Sequence, residues 1–235
     1  FYTLSLHDAL PDLLEYIRRD LWNRGDPDGV LIALQAIADA AQKPEACSSI
    51  ARTGGLLGIV RAMEDHMTNV LVQIKGCLAL ERLALDPENE MAIADVGGID
   101  AILGTMMCHF RNDQVHEAAW SALWNLTCLN STEEMTIDSP GSMESLVSCM
   151  KQHMNQASVQ KNACGALANL CLHNKERLDA LAEAGGFVVI STALQTHWRN
   201  EAVKSQASYA LTTLLEASAS PADPDSDSSS SSEAD

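Results

Sequence analysis

The sequence repeats one twelve-residue pattern four times at an almost constant interval. The pattern is clearest from Val159 to Leu170, and one leucine inside it recurs at steps of 43, 44 and 44 residues. These marker leucines are Leu80, Leu123, Leu167 and Leu211. A fixed period of this length is typical of a repeat array, in which each unit buries its apolar face against its neighbours. The sequence therefore predicts a stacked array, for which a single globular core is not required.

Each copy of the pattern is predicted to be one helix. From Val159 onward the apolar residues follow at intervals of four, three, one and three, which is the stripe of an amphipathic helix. An asparagine precedes each copy by three or four residues, where its side chain can accept from the first free N–H groups of a helix. These predicted capping residues are Asn69, Asn112, Asn155 and Asn200.

Glycines recur between the copies at the same period and predict corners. Glycine accepts the left-handed backbone conformations that end one helix and begin the next. The corners are Gly54-Gly55, Gly97-Gly98, Pro140-Gly141 and Gly185-Gly186. A second helix is predicted after each corner, starting at Leu56, Ile99, Ser142 and Phe187. A shorter helix is predicted before a corner, as from Glu88 and from Lys175.

The predicted unit therefore has a short helix and two longer ones in roughly 42 to 45 residues, the period of armadillo or HEAT units. The run Gly97-Gly98-Ile99 with Ile102, Met106 and His109, and the pattern from Val159, resemble the armadillo repeat over about residues 26–216. The resemblance implies an all-α fold, a right-handed α-solenoid of armadillo-type three-helix repeats. It also implies that the third helix of each unit lines a concave groove.

The chain is predicted to have four parts. Residues 1–11 match no repeat and are expected to be a non-native or disordered leader, and residues 12–25 a partial N-terminal repeat helix. Residues 26–217 are the array, with about four repeats and a partial C-terminal one, in which Val30–Ala41 is a third helix and Gly25–Gly29 a corner. Residues 218–235 contain no apolar side chain larger than alanine, so this acidic, serine-rich tail is expected to be disordered.

The tail allows two interpretations. Ser220, Ser230 and Ser232 each have an acidic residue three positions later, the pattern that acidophilic kinases prefer. Phosphorylation there would add roughly −1.5 to −2 charges at each site. Alternatively, the tail only makes the protein more soluble.

The charge of the chain bears on its partners. The formal net charge is −17, and the five carboxylates of the tail leave −12 for the rest. Nucleic-acid binding depends on basic residues that neutralise phosphates, so this balance argues against it. The longest apolar runs are shorter than the roughly 20 residues of a membrane span. We therefore expect a protein or peptide partner with a neutral or basic segment, and neither nucleic acid nor membrane.

The seven cysteines are predicted to be reduced packing residues. No C-x-x-C pair occurs and their number is odd, which argues against metal sites and disulfides. Cys77 and Cys164 share one column of the third helices with Trp120, on the buried stripe, whereas Cys108 and Cys149 lie in second helices. Reduced cysteines predict an intracellular protein, and we expect the cytoplasm in preference to the nucleus.

Four histidines form a column at His66, His109, His153 and His197. They could be a ladder of metal or proton sites, or they could cap the ends of the second helices. Equivalent positions in stacked helices lie roughly 8 to 10 Å apart, whereas ligands bind zinc at about 2 Å. We favour capping, and we expect no metal and no cofactor. No catalytic motif is present either, so an enzyme is not expected.

The resemblance also suggests groove residues. In peptide-binding armadillo proteins such as nuclear-import receptors, the third helix presents a Trp and, four residues later, an Asn. Here the Asn column reads Arg82, Asn125, Asn169 and Thr213, and the column four residues earlier reads Leu78, Ser121, Gly165 and Tyr209. The Trp ladder is absent, which argues against a receptor for nuclear-localisation signals.

A general peptide-binding groove is left, with seven candidate contacts. They are Arg82, Ser121, Trp124, Asn125, Lys161, Asn169 and Tyr209. Asn125 and Asn169 could instead bond only to neighbouring turns. The predicted function is a scaffold that binds a protein segment along the concave groove. The alternative is a regulatory armadillo segment of a larger chain that also has a catalytic domain.

Overall fold

The computed structural model describes residues 26–128 and 141–219. Within these ranges the chain forms twelve helices and no strand. The helices are α1 (Pro27–Ala40), α2 (Pro44–Arg52), α3 (Gly55–Asp65), α4 (Val70–Leu83), α5 (Pro87–Asp95), α6 (Gly98–Cys108), α7 (Asp113–Leu126), α8 (Ser142–Gln152), α9 (Ala157–Cys171), α10 (Lys175–Glu183), α11 (Gly186–Thr196) and α12 (Glu201–Ala219). The predicted leader, the partial repeat at 12–25 and the serines 220, 230 and 232 lie outside the described residues, so those calls stay predictions.

The helices follow the predicted order of short, second and third helix. The third helices α1, α4, α7, α9 and α12 pack against one another in sequence, and the second helices α3, α6, α8 and α11 form a neighbouring row. The marker residues Leu80, Leu123 and Leu167 are fully buried, as predicted, because they lie between adjacent third helices. Burial of this stripe is what stabilises each helix in the array.

The corners confirm the predicted left-handed glycine. Gly54, Gly97, Gly141 and Gly185 have φ between 80° and 84°, the left-handed region that favours glycine. At three corners a second glycine follows, and there the reason is close packing. A Cβ on Gly98 would lie 2.4 Å from the side chain of Ile93, and one on Gly186 would lie 2.3 Å from that of Leu181. The short helix can therefore turn tightly into the second helix.

Three of the four predicted asparagine caps are confirmed. The Oδ1 atoms of Asn69, Asn112 and Asn200 accept from backbone N–H groups two and three residues later, at 3.1 to 3.3 Å. The prediction for Asn155 is wrong: α9 begins after Gln156, whose side chain makes no capping bond. Asn155 stands one residue too early to reach the first N–H groups.

Two helix ends differ from the sequence-based boundaries. The helix α1 begins at Pro27, inside the predicted corner, because Asp26 caps it by accepting from the N–H of Asp28 at 3.1 Å. Proline suits the first turn of a helix, where its missing N–H costs nothing. At the other end, α12 continues to Ala219, past residue 217 where the array was expected to stop, so Ser218 and Ala219 are helical and the prediction of disorder is wrong for these two residues.

The cysteines are free, and five of the seven are buried. Cys77, Cys149 and Cys164 occupy packing positions as predicted, and burial raises the pKa of each thiol to about 12. The prediction for Cys108 is wrong, because its side chain is exposed at the last residue of α6. A helix end leaves the shared apolar stripe, so a second helix buries a cysteine within the stripe, as at Cys149, and exposes one at its end, as at Cys108.

Within the part of the chain that the structure describes, no single helix is both long and apolar enough to cross a membrane. The consecutive helices α5 and α6 reach the required length and composition only together, and they are bent by 68° where they meet.

Candidate functional site

All seven candidate contacts lie on third helices. We call the outward side of α4, α7, α9 and α12 that carries them the third-helix face. Six of these side chains are half-buried and Tyr209 is exposed, at 49% of its full accessible surface. They can therefore meet a ligand, although each is also positioned by its own chain.

The Asn column reaches back to the preceding third helix. Asn125 donates from Nδ2 to the Glu81 carbonyl at 3.2 Å, and Asn169 donates to the Thr127 hydroxyl at 3.4 Å. Arg82 makes the equivalent contact, donating to the Ala38 carbonyl and lying 3.4 Å from Asp39 Oδ1. These bonds are the ones that the neighbouring-turn interpretation expects. The bonds of Arg82 and Asn125 satisfy helix-end carbonyls that have no partner within their own helix.

The same bonds fix which side of each amide is available. The amide NH₂ groups of Asn125 and Asn169 point into the array, and their Oδ1 atoms make no hydrogen bond within residues 26–128 and 141–219. Both side chains are half-buried, so these oxygens are held by the fold and not by a flexible chain. An oxygen held in this way can accept from the backbone N–H of a ligand.

Trp124 lies directly on Gly165 of the next repeat. A Cβ on Gly165 would lie 2.6 Å from Trp124 Nε1, so only glycine allows the indole to approach α9 this closely. Gly165 belongs to the column in which the Trp ladder was sought. The structure therefore places an aromatic ring at that column after all, contributed by the preceding helix.

Lys161 completes the arrangement around the indole. Its Nζ lies 4.9 Å from the centroid of the Trp124 ring, within the distance of a cation–π interaction. Lys161 precedes Gly165 by one helical turn, so both reach the same ring from α9. The cluster of Trp124, Lys161 and Gly165 is called the indole cluster below.

The charges along the face nearly cancel, unlike those of the whole chain. The helices α4, α7, α9 and α12 carry four cations and five acids, namely Lys75, Arg82, Lys161, Lys204, Glu81, Asp113, Glu117, Glu201 and Glu216. Several are engaged already: Glu81 accepts from Ser121 Oγ at 2.9 Å, and Lys75 donates to Gln35. Ser121 is therefore a link between α4 and α7 as well as a candidate contact.

The histidine column ends the second helices, as predicted, but its side chains bond to a different place. His66, His109, His153 and His197 are the C-terminal cap residues of α3, α6, α8 and α11. Three of them bond through Nε2 to a backbone carbonyl of the preceding repeat, at 2.7 to 2.8 Å. These carbonyls belong to Met67, Phe110 and Met154. The ring therefore ties two repeats together and does not close its own helix.

In the described ranges, no group of three or more His, Cys, Asp or Glu residues is arranged to hold a metal ion. The absence of a bound metal from the protein remains a prediction, to be checked by elemental analysis.

A further histidine, His116, was missed by the sequence analysis. The equivalent residues Gln73 and Gln160 donate to two carbonyls at the end of the second helix of their own repeat, at 2.8 to 3.0 Å. His116 bonds through Nε2 to the single carbonyl of Met106 at 3.2 Å, and its ring centroid is 4.1 Å from that of His153. Burial, and then the neighbouring His153, lower the pKa of His116 to about 4.

The fold and the glycine corners define an armadillo-type helical repeat protein. Residues 56–216, more than half of the chain, match the family described as the LRRK2 ARM repeat. The chain therefore belongs to this armadillo-repeat family, and the predicted armadillo-type α-solenoid is confirmed.

Solved structures agree with the fold. A designed armadillo repeat protein in complex with the peptide (KR)4 superposes with a TM-score of 0.72, at 22% identity, over 88% of this chain and 82% of that one. Computationally designed armadillo repeat proteins for modular peptide recognition give a TM-score of 0.68, at 22% identity, over 90% of this chain and 92% of that one.

Among curated proteins, the chain is similar to Protein aardvark of Dictyostelium discoideum. The match has 35% identity over 80 residues, which is 32% of this chain and 11% of that protein. The similarity thus covers about a tenth of the length of that relative.

Proposed function

We propose that this protein is a scaffold that binds an extended or helical protein segment along its third-helix face. The observation that carries the proposal is the arrangement of Trp124 between two asparagines whose Oδ1 atoms are held available. The indole offers apolar area of the kind that dominates interfaces. The two oxygens offer acceptors for ligand N–H groups whatever the ligand sequence. A scaffold of this kind needs no catalytic group.

The solved structures support a peptide as the class of partner. A designed protein of the same fold was solved in complex with the peptide (KR)4, and others were designed for modular peptide recognition. The charge of −12 outside the tail favours a neutral or basic segment, because like charges would slow encounter and oppose docking. We propose that binding takes place inside the cell, in the cytoplasm.

The test is a selection from a random dodecapeptide library displayed on phage, followed by affinity measurements on the enriched peptide. We expect Trp124→Ala to weaken binding by about 2 kcal/mol, as for a central aromatic anchor. Asn125→Ala should cost about 0.5 to 1.5 kcal/mol, since one neutral hydrogen bond is lost.

The control is Trp198→Ala, which removes a different indole, one that is exposed (61% accessible) in the turn after α11. It should leave affinity unchanged. Circular dichroism of each variant should show a folded helical protein. If the folded double variant Trp124→Ala with Asn125→Ala binds the enriched peptide as tightly as the wild type, the binding surface lies elsewhere.

A further inference from the structure

We propose that the indole cluster is a specificity element that disfavours lysine and arginine in the ligand and accepts an apolar side chain. This inference rests on the proposed function, because it concerns the ligand residue that meets Trp124. Lys161 is the discriminating residue. It occupies the place over the ring that a ligand cation would otherwise take.

The Trp124 ring is held in place by contacts with α9. One edge of the Trp124 indole, with Nε1, Cε2 and Cδ1, is pressed against α9 at Gly165, where a Cβ would come within 2.6 to 2.9 Å of these atoms. The ammonium of Lys161 lies 4.9 Å from the ring centroid. Two sides of the indole are thus occupied by a single neighbouring helix, and the ring is held in one position without a hydrogen bond from the described residues.

The ammonium of Lys161 differs in its contacts from the ammonium of Lys75 and the guanidinium of Arg82. Within the described residues Lys161 makes no salt bridge, so the ring is its nearest partner. The other cations of the face are arranged differently: Arg82 pairs with Asp39, and Lys75 donates to Gln35. The Lys161 ammonium therefore stands at the aromatic position without a paired carboxylate from the described residues.

The position of Lys161 determines which ligand side chain can stack on Trp124. A lysine or arginine stacking on Trp124 would either meet the Lys161 ammonium or displace it from the ring. Like charges brought together in this way are a recognised means of rejecting a partner. A leucine or methionine can instead pack against the ring and the methylene chain of Lys161 without displacing the charge.

This element narrows the partner that the overall charge suggests. The net negative charge admits a basic segment, whereas the indole cluster excludes a basic side chain from the central position. The charges of α4, α7, α9 and α12 sum to −1, so the face adds little attraction for a polybasic ligand. The expected ligand is a mostly neutral segment with an apolar residue at Trp124.

The experiment uses the full chain and the enriched dodecapeptide. Alanine is placed at each peptide position, and the position whose effect disappears in Trp124→Ala is the one that contacts the indole. Peptides with Leu or Arg at this position are then compared on the wild type, on Lys161→Gln and on the control Lys75→Gln. The control removes another cation of the face that has no contact with the ring.

We expect the wild type to bind the Leu peptide at least tenfold more tightly than the Arg peptide. In Lys161→Gln this ratio should fall to about threefold or less, and in Lys75→Gln it should stay at the wild-type value. An unchanged ratio in a folded Lys161→Gln variant overturns the inference while leaving the proposed function in place. If no enriched peptide depends on Trp124, both fail.

Discussion

The third helices α9 and α12 have the same sequence pattern but not the same surroundings. In α9 both sides of the helix are buried, because α7 lies before it and α12 after it. In α12 the inward stripe of Val203, Ala207, Ala210 and Leu214 is buried in the same way. Two other columns differ. Cys164 and Gln160 are buried in α9, whereas Ser208 and Lys204 at the same positions of α12 are exposed.

The difference shows which column serves which neighbour. Columns that are buried in both helices pack toward the preceding helix and within the repeat, and columns that are exposed only in α12 are covered in α9 by the helices that follow it. A polar outer surface is typical of terminal repeats, which must meet water on one side. Leu215 keeps an apolar side chain that is 55% accessible, where the equivalent Cys171 of α9 is buried.

The largest expected effect on stability contrasts two residues that occupy the same position in two third helices. Trp120 is completely buried between repeats, whereas Ser208 at the same position of α12 is exposed. Trp120→Ala should lower the free energy of unfolding by about 3 to 5 kcal/mol, through lost burial and a cavity. Ser208→Ala should change it by less than about 0.5 kcal/mol. Urea unfolding measures both, and comparable losses would show that the two helices do not differ as described.

A smaller contrast concerns the marker leucines. Leu167 is fully buried, and Leu211 is only partly covered because no further repeat lies beyond α12 in the described residues. We expect Leu167→Ala to cost about 2 to 5 kcal/mol and Leu211→Ala clearly less, about 1 to 2 kcal/mol. Thermal melts followed by circular dichroism give the order of the two. A larger loss for Leu211→Ala would contradict it.

The third prediction concerns the pH dependence of stability, to which His116 contributes. His116 has a lowered pKa of about 4 when folded and an ordinary value of 6.5 when unfolded, so the unfolded state binds more protons between these values. Stability should therefore fall as the pH drops from about 6.5 to 4, by at most about 3 kcal/mol from this residue.

The matched variant for this prediction is His116→Gln, which installs the residue that the array itself uses as Gln73 and Gln160. Chemical denaturation at pH 7 and at pH 4.5 should show a smaller loss for this variant than for the wild type. An identical pH dependence in both proteins would assign the acid sensitivity to other groups.

The sequence predicted what depends on the repeat period alone. The helices, the corners and the buried marker leucines follow from residues that recur at equal steps, since each column meets the same neighbours in every interior unit. The prediction that Cys108 is a packing residue was wrong because the end of α6 turns away from the shared apolar stripe. The prediction that Asn155 caps α9 was wrong because a cap must stand at a fixed distance from the first free N–H groups. The repeat pattern does not define that distance to one residue.

The candidate site could be located but not assembled from the sequence. Asn125 and Asn169 were found by column, and their bonds to the preceding repeat were an open alternative. The contact of Trp124 with Gly165 was missed, since it depends on how two repeats are offset when they stack. A glycine within an apolar helical pattern was the available signal, because such a residue often marks close approach by another group.

The histidine bonds between repeats give the array a direction. Each ring of His109, His153 and His197 donates backward to a carbonyl, so the donor always belongs to the later repeat. Loss of the last repeat would leave only a carbonyl, which water can reach at the new end. Loss of an early repeat would leave a covered imidazole without its acceptor, a state that costs free energy. We therefore expect that removing a repeat costs less stability at the carboxyl end of the array than at the amino end.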